Sequence, residues 1–113
     1  YWTLLENSNF YTLSFKLIPI EHWNILQTDD KNTQELELFY KKIGENVKKL
    51  RIQRGFSQLK LANAMGYDSV GHIAKAEIYK YGKKFNLEHL FKICLILKVS
   101  MIEVFEGTDE FLE

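Results

Sequence analysis

One ten-residue block, with a hydroxyl side chain at its start and a glycine at its end, restricts the fold of this chain more than any other feature. The block begins at Ser57 and ends at Gly66, and Glu77 follows eleven residues after the glycine. Serine is a favoured N-cap, so a short helix is expected over 58–65. Gly66 allows the sharp turn that ends this helix. The block therefore predicts a short helix followed by a tight turn.

Apolar residues recur at three- and four-residue spacing on both sides of this block, which predicts further helices. The first is expected to run from Thr33, as its cap, to about Arg54, and another is expected over 69–78. Caps for the later helices are expected at Asp68 or Ser69, at Asn86, and at Ser100 with Glu103 as a capping box. The chain is therefore expected to be mainly α, with five helices.

The N-terminal extension, residues 1–37, differs in composition from the rest of the chain. Two runs of aromatic and branched residues flank the turn signal at 7–9, which predicts a short β-hairpin ending before Pro19. A two-stranded hairpin alone is marginally stable in water. We therefore expect this extension to mediate dimerisation or to bind a partner, with the main domain over 38–106 and an acidic tail over 107–113 that frays.

The charges are segregated along the chain although its formal net charge is zero. Residues 38–102 contain thirteen basic and four acidic side chains, a net +9, whereas residues 1–37 carry −4 and residues 103–113 carry −5. A basic middle segment favours a polyanionic partner such as double-stranded DNA.

No enzyme is indicated by the sequence. The three histidines lie in different segments, and no Cys/His spacing suits zinc. Glycine loops that bind phosphate and nucleophile elbows are also missing. We expect neither a catalytic site, a metal nor a cofactor. The one cysteine suits a reducing interior, and the longest apolar run is too short for a membrane span, so a cytoplasmic, nucleoid-associated protein is expected.

From about Ile43 to Phe105 the chain resembles the lambda-repressor-like, XRE-type helix-turn-helix family of phage and bacterial regulators. The matching blocks are Ile43–Arg51, Gly55–Gln58, Leu61-Ala62 with Gly66, Leu97–Ser100 and Val104-Phe105, together with Ile73 and Glu77. The resemblance implies a five-helix domain whose third helix enters the DNA major groove. It also implies an ion pair between Arg51 and Glu77.

The resemblance further assigns DNA contacts to residues of this chain. Base contacts fall on Ser69, Val70, His72 and Lys75. Phosphate contacts fall on Ser57, Gln58, Lys60, Asn63, Lys80, Lys83 and Lys84. The chain departs from the family pattern in two places. Ile73 stands seven positions after Gly66, where six are usual, and the loop from Glu77 to Leu87 is long. The extra residue predicts a third helix that begins later or is tilted.

The function expected from these features is that of a sequence-specific transcriptional regulator. We expect a repressor that binds a two-fold operator as a homodimer, with half-sites about one helical turn apart. One alternative is an antitoxin whose residues 1–37 bind a toxin. The other is a helix-turn-helix protein-interaction module that no longer reads DNA.

Overall fold

The computed structural model describes residues 30–112, which are mainly helical. The five α-helices of this range are α1 (Asp30–Gln53), α2 (Gln58–Ala64), α3 (Gly71–Glu77), α4 (Leu87–Leu97) and α5 (Met101–Val104). Two 3-10 turns, Lys80–Gly82 and Thr108–Phe111, follow α3 and α5. The described range contains no strand, and the hairpin predicted before Pro19 lies outside it.

The long helix α1 begins earlier than the sequence predicts. Asp30 is already helical, so Thr33 is an interior residue and not the cap. The chain divides into two compact units after Thr33, and this division and the predicted boundary at residue 37 both fall within α1. The apolar stripe predicted on α1 is buried from Ile43 onward, whereas Leu36 is about half exposed.

The hydrophobic core of the unit that begins at Gln34 is formed by the inward faces of these helices. Its buried apolar residues are Ile43, Val47, Leu50, Leu61, Ala62, Met65, Ile73, Ala76, Phe85, Leu90, Ile93, Leu97 and Val104. Burial of this apolar surface is the main force that holds the short helices together, since helices of this length are unstable alone.

Two residues of α1, a glycine and an asparagine, make close contacts with distant parts of the chain that the sequence pattern did not reveal. A Cβ atom added to Gly44 would lie 2.6 Å from the carbonyl oxygens of both Ala76 and Glu77. Asn46 is buried, and its side-chain amide donates to the carbonyl oxygens of Val104 and Glu106, both at 2.8 Å. Gly44 therefore allows the end of α3 to approach α1 closely, and Asn46 fixes the end of α5 and the residues that directly follow it.

The turn between α2 and α3 follows the prediction in part. Ser57 caps α2, and Gly66 adopts a φ of 88°, the left-handed conformation that favours glycine. α3 begins at Gly71, later than the predicted range of 69–78 but in keeping with the later start that the spacing from Gly66 to Ile73 predicts. Val70 occupies the cap position with no side-chain cap hydrogen bond. The prediction that Asp68 or Ser69 caps a helix starting at 69 is therefore wrong. The extra residue after Gly66 lengthens the turn, and glycine is a poor helix former.

The caps predicted for α4 and α5 are confirmed. The Asn86 and His89 side chains satisfy each other's backbone N–H groups, and Ser100 and Glu103 do the same for α5. The expectation of a frayed tail is wrong for residues 107–112. Thr108 is buried, its hydroxyl donates to the Phe105 carbonyl at 2.7 Å, and the Thr108–Phe111 turn continues the fold. Within residues 30–112, no helix is long and apolar enough to cross a membrane.

The close contact at Gly44 predicts that Gly44→Ala destabilises the protein. The added methyl group would meet two backbone oxygens that cannot move away without shifting α3, so we expect a loss of about 1–3 kcal/mol. Urea unfolding followed by circular dichroism measures the change.

Gly71→Ala is the matched control for this prediction, because a Cβ there would meet nothing closer than the Ser69 hydroxyl oxygen at 3.7 Å. Alanine raises helix propensity, so this variant should gain up to about 1 kcal/mol. If the two variants changed the free energy of unfolding by the same amount, the explanation by close packing at Gly44 would be contradicted.

Candidate nucleic-acid interface

A buried ion pair joins α1 to α3. Arg51 and Glu77 are 6% and 1% exposed. The Arg51 guanidinium donates to the Glu77 carboxylate twice, from Nε to Oε2 at 2.6 Å and from Nη2 to Oε1 at 3.1 Å. A further N–H donates to the Phe56 carbonyl at 2.8 Å. The two side chains form the ion pair that the sequence predicts, and its two-point geometry fixes how the helices are oriented.

Gln58 connects α2 to the same carboxylate. Its Nε2 atom donates to Glu77 Oε1 at 2.9 Å, so one carboxylate of α3 contacts side chains from both α1 and α2. The sequence assigned Gln58 to a phosphate. An amide nitrogen has two N–H groups, and the geometry commits one of them to Glu77, which leaves the other to offer to a phosphate.

Of the other phosphate-contact candidates, Ser57 and Lys60 lie at the start of α2 and Asn63 lies in its last turn. The Ser57 hydroxyl oxygen accepts a hydrogen bond from the Lys60 backbone N–H at 3.0 Å, so it acts as the helix cap. The Lys60 ammonium lies 4.3 Å from the centre of the Phe56 ring, a cation–π distance. Asn63 is exposed. Lys60 and Asn63 therefore present polar groups at the surface, whereas the Ser57 hydroxyl already has a partner.

The outer face of α3 and the turn before it carry fewer polar groups than the sequence predicted. Ser69 and Lys75 are exposed and Val70 is half-buried. Ile78, which directly follows α3, is 57% exposed and was not identified from the sequence. Its spacing of three residues from Lys75 places both on one face of the helix. This face therefore combines one cation with apolar groups.

His72 faces the interior and not the outer face of α3. Its ring centre lies 4.6 Å from that of His89, with Tyr67 and Phe85 at 5.7 and 6.1 Å. Its Nε2 atom is buried without a hydrogen-bond partner among the described residues. A base contact through that atom would require the ring to leave this aromatic cluster, so we remove His72 from the base-reading set. The orientation of His72 depends on these contacts with aromatic rings, which the sequence does not show.

The loop after α3 presents cations and aromatic rings together. Lys80, Lys83 and Lys84 are exposed, as expected for phosphate contacts. The Lys84 ammonium lies 4.7 Å from the centre of the Tyr40 ring, which orients it toward α1. Tyr81 is 79% exposed. The lysines of this loop were predicted from the sequence as phosphate contacts. Tyr81 was not, although an aromatic residue within a run of lysines is visible in the sequence.

The pKa values of His72 and His89 are both lowered from the ordinary value near 6.5. Burial is the main cause for each, and Lys83 lowers the pKa of His72 further. For His89, the neighbouring His72 and then Lys92 also lower the pKa, while Glu88 raises it. The His89 Nδ1 atom accepts the Asn86 backbone N–H at 3.1 Å, which requires that nitrogen to be unprotonated. The cluster therefore favours two neutral imidazoles.

Metal ligands are not grouped in the part of the chain that the structure describes. No set of three or more His, Cys, Asp or Glu side chains within it is placed to hold an ion. The arrangement assembled here is instead a rigid α2–α3 unit with cationic and aromatic groups at its surface. Such a surface is chemically suited to contacting a polyanion.

We expect Glu77→Ala to destabilise the protein by about 3–5 kcal/mol, because the Arg51 guanidinium would be left buried without its partner. Urea unfolding measures the loss. Adding Arg51→Met to this variant should recover part of it, since the unpaired charge is then removed.

Glu88→Ala is the control for this prediction. It breaks the exposed 3.1 Å pair with Lys92 on α4, which should change stability by no more than about 0.5 kcal/mol. If Glu77→Ala cost no more than Glu88→Ala, the buried pair would not be what fixes α3.

The histidine cluster predicts that acidification destabilises the fold. Below about pH 6.5 the unfolded chain protonates its histidines more readily than the folded chain, whose pKa values are lowered, so stability declines as the pH falls through those values. Above that pH the histidine contribution is fully present. Urea midpoints measured between about pH 7.5 and pH 5 should therefore fall with pH.

A double variant, His72→Phe with His89→Gln, tests the origin of this dependence. Phenylalanine keeps the ring packing, and glutamine keeps a side-chain acceptor for the Asn86 N–H. The slope of stability with pH in this range should flatten. An unchanged slope would place the acid sensitivity in other groups.

Comparisons with protein-family models, with curated proteins and with solved structures returned no match to this chain. The geometry of residues 30–112 is therefore the basis on which a function is inferred. That geometry consists of the α2–α3 unit held by Glu77 and the lysine-bearing loop that follows it.

Proposed function

We propose that residues 38–106 form a helix-turn-helix domain that binds double-stranded DNA, and that the protein is a dimeric, sequence-specific transcriptional regulator acting as a repressor. The observation that carries the proposal is the attachment of α2 and α3 to one buried carboxylate, which leaves the outer face of α3 toward solvent. A major-groove reader needs this rigidity, since base contacts require a fixed helix.

Charge supports the same proposal. The candidate contacts comprise Lys60 on α2, Lys75 on α3, and the three lysines of the following loop, all exposed. The one acidic side chain on α3 is Glu77, which is buried and paired. Phosphate contacts by lysines position a protein on DNA, while base edges are read by the few groups on α3 and in the turn before it.

The base-contact candidates that remain on α3 and in the turn before it indicate how a DNA sequence would be read. With His72 turned inward, Ser69, Val70 and Lys75 remain as base contacts. Lysine can donate to guanine acceptors, valine can contact a thymine methyl group, and serine suits either base or phosphate. We therefore propose modest direct readout, with a larger share of specificity from DNA shape.

The second candidate function is a protein-interaction module that has kept the fold without reading DNA. It is favoured by an exposed apolar face on α4, where Leu87, Phe91 and Leu95 repeat every fourth residue and are 72%, 60% and 64% exposed. Exposed apolar surface of this kind is typical of protein interaction sites. The antitoxin alternative depends on residues 1–37, of which 1–29 lie outside the described range.

The proposed function predicts salt-sensitive binding to duplex DNA. Affinity for a random duplex should fall as salt rises, and selection from a random pool should enrich a two-fold motif. Fluorescence anisotropy at two salt concentrations measures the affinity, and sequencing of the selected pool identifies the motif. Lys83→Gln should weaken binding and reduce the slope of log affinity against log salt by about 0.9.

Two controls make this experiment decisive. Lys48→Gln removes an exposed lysine of α1 that lies outside the candidate contact set, so it should leave the slope unchanged. Glu77→Ala should weaken binding without changing the slope, because it loosens α3 without removing a cation. Absence of binding by the wild-type protein even at low salt would reject DNA binding and favour the α4 face as the functional surface.

A further inference from the structure

The loop that follows α3 holds three of four consecutive residues in the left-handed conformation. Tyr79 and Tyr81 both have a φ of 56°, and Gly82 has a φ of 72°. This conformation is unstrained for glycine and costs free energy for a tyrosine. Each tyrosine therefore needs an interaction that offsets its backbone strain, and such strain is often found at functional sites.

Tyr79 has such an interaction within the fold. Its ring stacks on that of Tyr40 of α1, with ring centres 6.0 Å apart and an angle of 3° between the planes. Lys84, at the far end of the loop, lies over the same Tyr40 ring. The strain at Tyr79 is therefore explained by packing that anchors the loop on α1.

Tyr81 differs from Tyr79 in this respect. It is 79% exposed, and the one ring contact found for it within residues 30–112 is the Lys80 ammonium at 5.3 Å. A surface cation–π contact of this length contributes little. The backbone thus directs a large ring into solvent at an energetic cost that packing does not offset.

The surroundings of Tyr81 indicate the chemistry of a partner. Between Ile78 and Asn86 the chain carries three exposed lysines and no acidic residue. A partner of this loop must then combine anionic groups with an apolar surface about as large as one aromatic ring. The sugar–phosphate backbone of DNA does so, because each phosphate adjoins the apolar face of a deoxyribose. Tyrosine hydroxyl groups are among the side-chain donors that contact phosphate oxygens.

We propose that Tyr81 is a contact to the DNA backbone, with its ring against a deoxyribose and its hydroxyl donating to the adjoining phosphate. This inference rests on the proposed function and names a residue that helps to position the protein beside the bases contacted by α3. Tyr81 is uncharged, so it adds affinity without releasing counterions. Its contribution is thereby separable from that of the neighbouring lysines.

The decisive variant is Tyr81→Gly. Glycine relieves the left-handed strain, so the urea midpoint should stay constant or rise, and a loss of DNA binding would not reflect misfolding. We expect affinity for the selected duplex to fall about tenfold with no change in salt slope. Tyr81→Asn, which also tolerates this conformation, should behave similarly. Tyr81→Phe should lose about threefold through its hydroxyl alone.

Lys83→Gln is the matched control, since it removes a cation from the same loop and should reduce the slope by about 0.9. A fall in slope for Tyr81→Gly would overturn the inference, because the variant would then act by displacing Lys80. Wild-type affinity in Tyr81→Gly and Tyr81→Asn would also overturn it, while leaving the proposed function intact. If the wild-type protein itself showed no salt-sensitive binding, the proposed function and this inference would both fail.

Discussion

The Glu77 carboxylate is 1% exposed, and a buried charge of this kind persists only when it is paired and hydrogen-bonded. Arg51 and Gln58 together supply three hydrogen bonds to its two oxygens. These bonds come from α1 and α2, so the position of α3 is set by polar contacts as well as by core packing. A buried pair is weak evidence for added stability, but the direction of its hydrogen bonds restricts how α1, α2 and α3 are arranged.

Local signals in the sequence were sufficient for most of the helix boundaries in the described range. Ser57, Asn86 and Ser100 are caps because each has a side-chain acceptor at the start of an apolar repeat, and these rules act within four residues. The ion pair was expected from a family resemblance, which carries spatial information that spacing alone lacks. Of the candidate interface, the exposed lysines were found because exposure of a lysine is the usual case.

The features that the sequence did not reveal depend on contacts between distant segments. His72 turns inward because Phe85 and His89 offer aromatic surface, and its position next to Gly71 carries no sign of this. The left-handed tyrosines arise from the path of the chain between α3 and α4, which propensity does not describe. The two carbonyl partners of Asn46 are likewise distant in sequence. Side-chain orientation on α3 was thus harder to predict than the existence of the helix.

The amide of Asn46 also determines where this folding unit can be divided. It donates to carbonyl groups 58 and 60 positions further along the chain, one at the end of α5 and one just after it. A chain cut after α4 would retain α2, α3 and the lysine loop, yet it would leave a buried amide without its acceptors. When recombination transfers such a unit between genes, breakpoints between α4 and α5 should therefore not be tolerated. The segment that contains α5 has no residue of the candidate interface, yet it has to be inherited together with that interface.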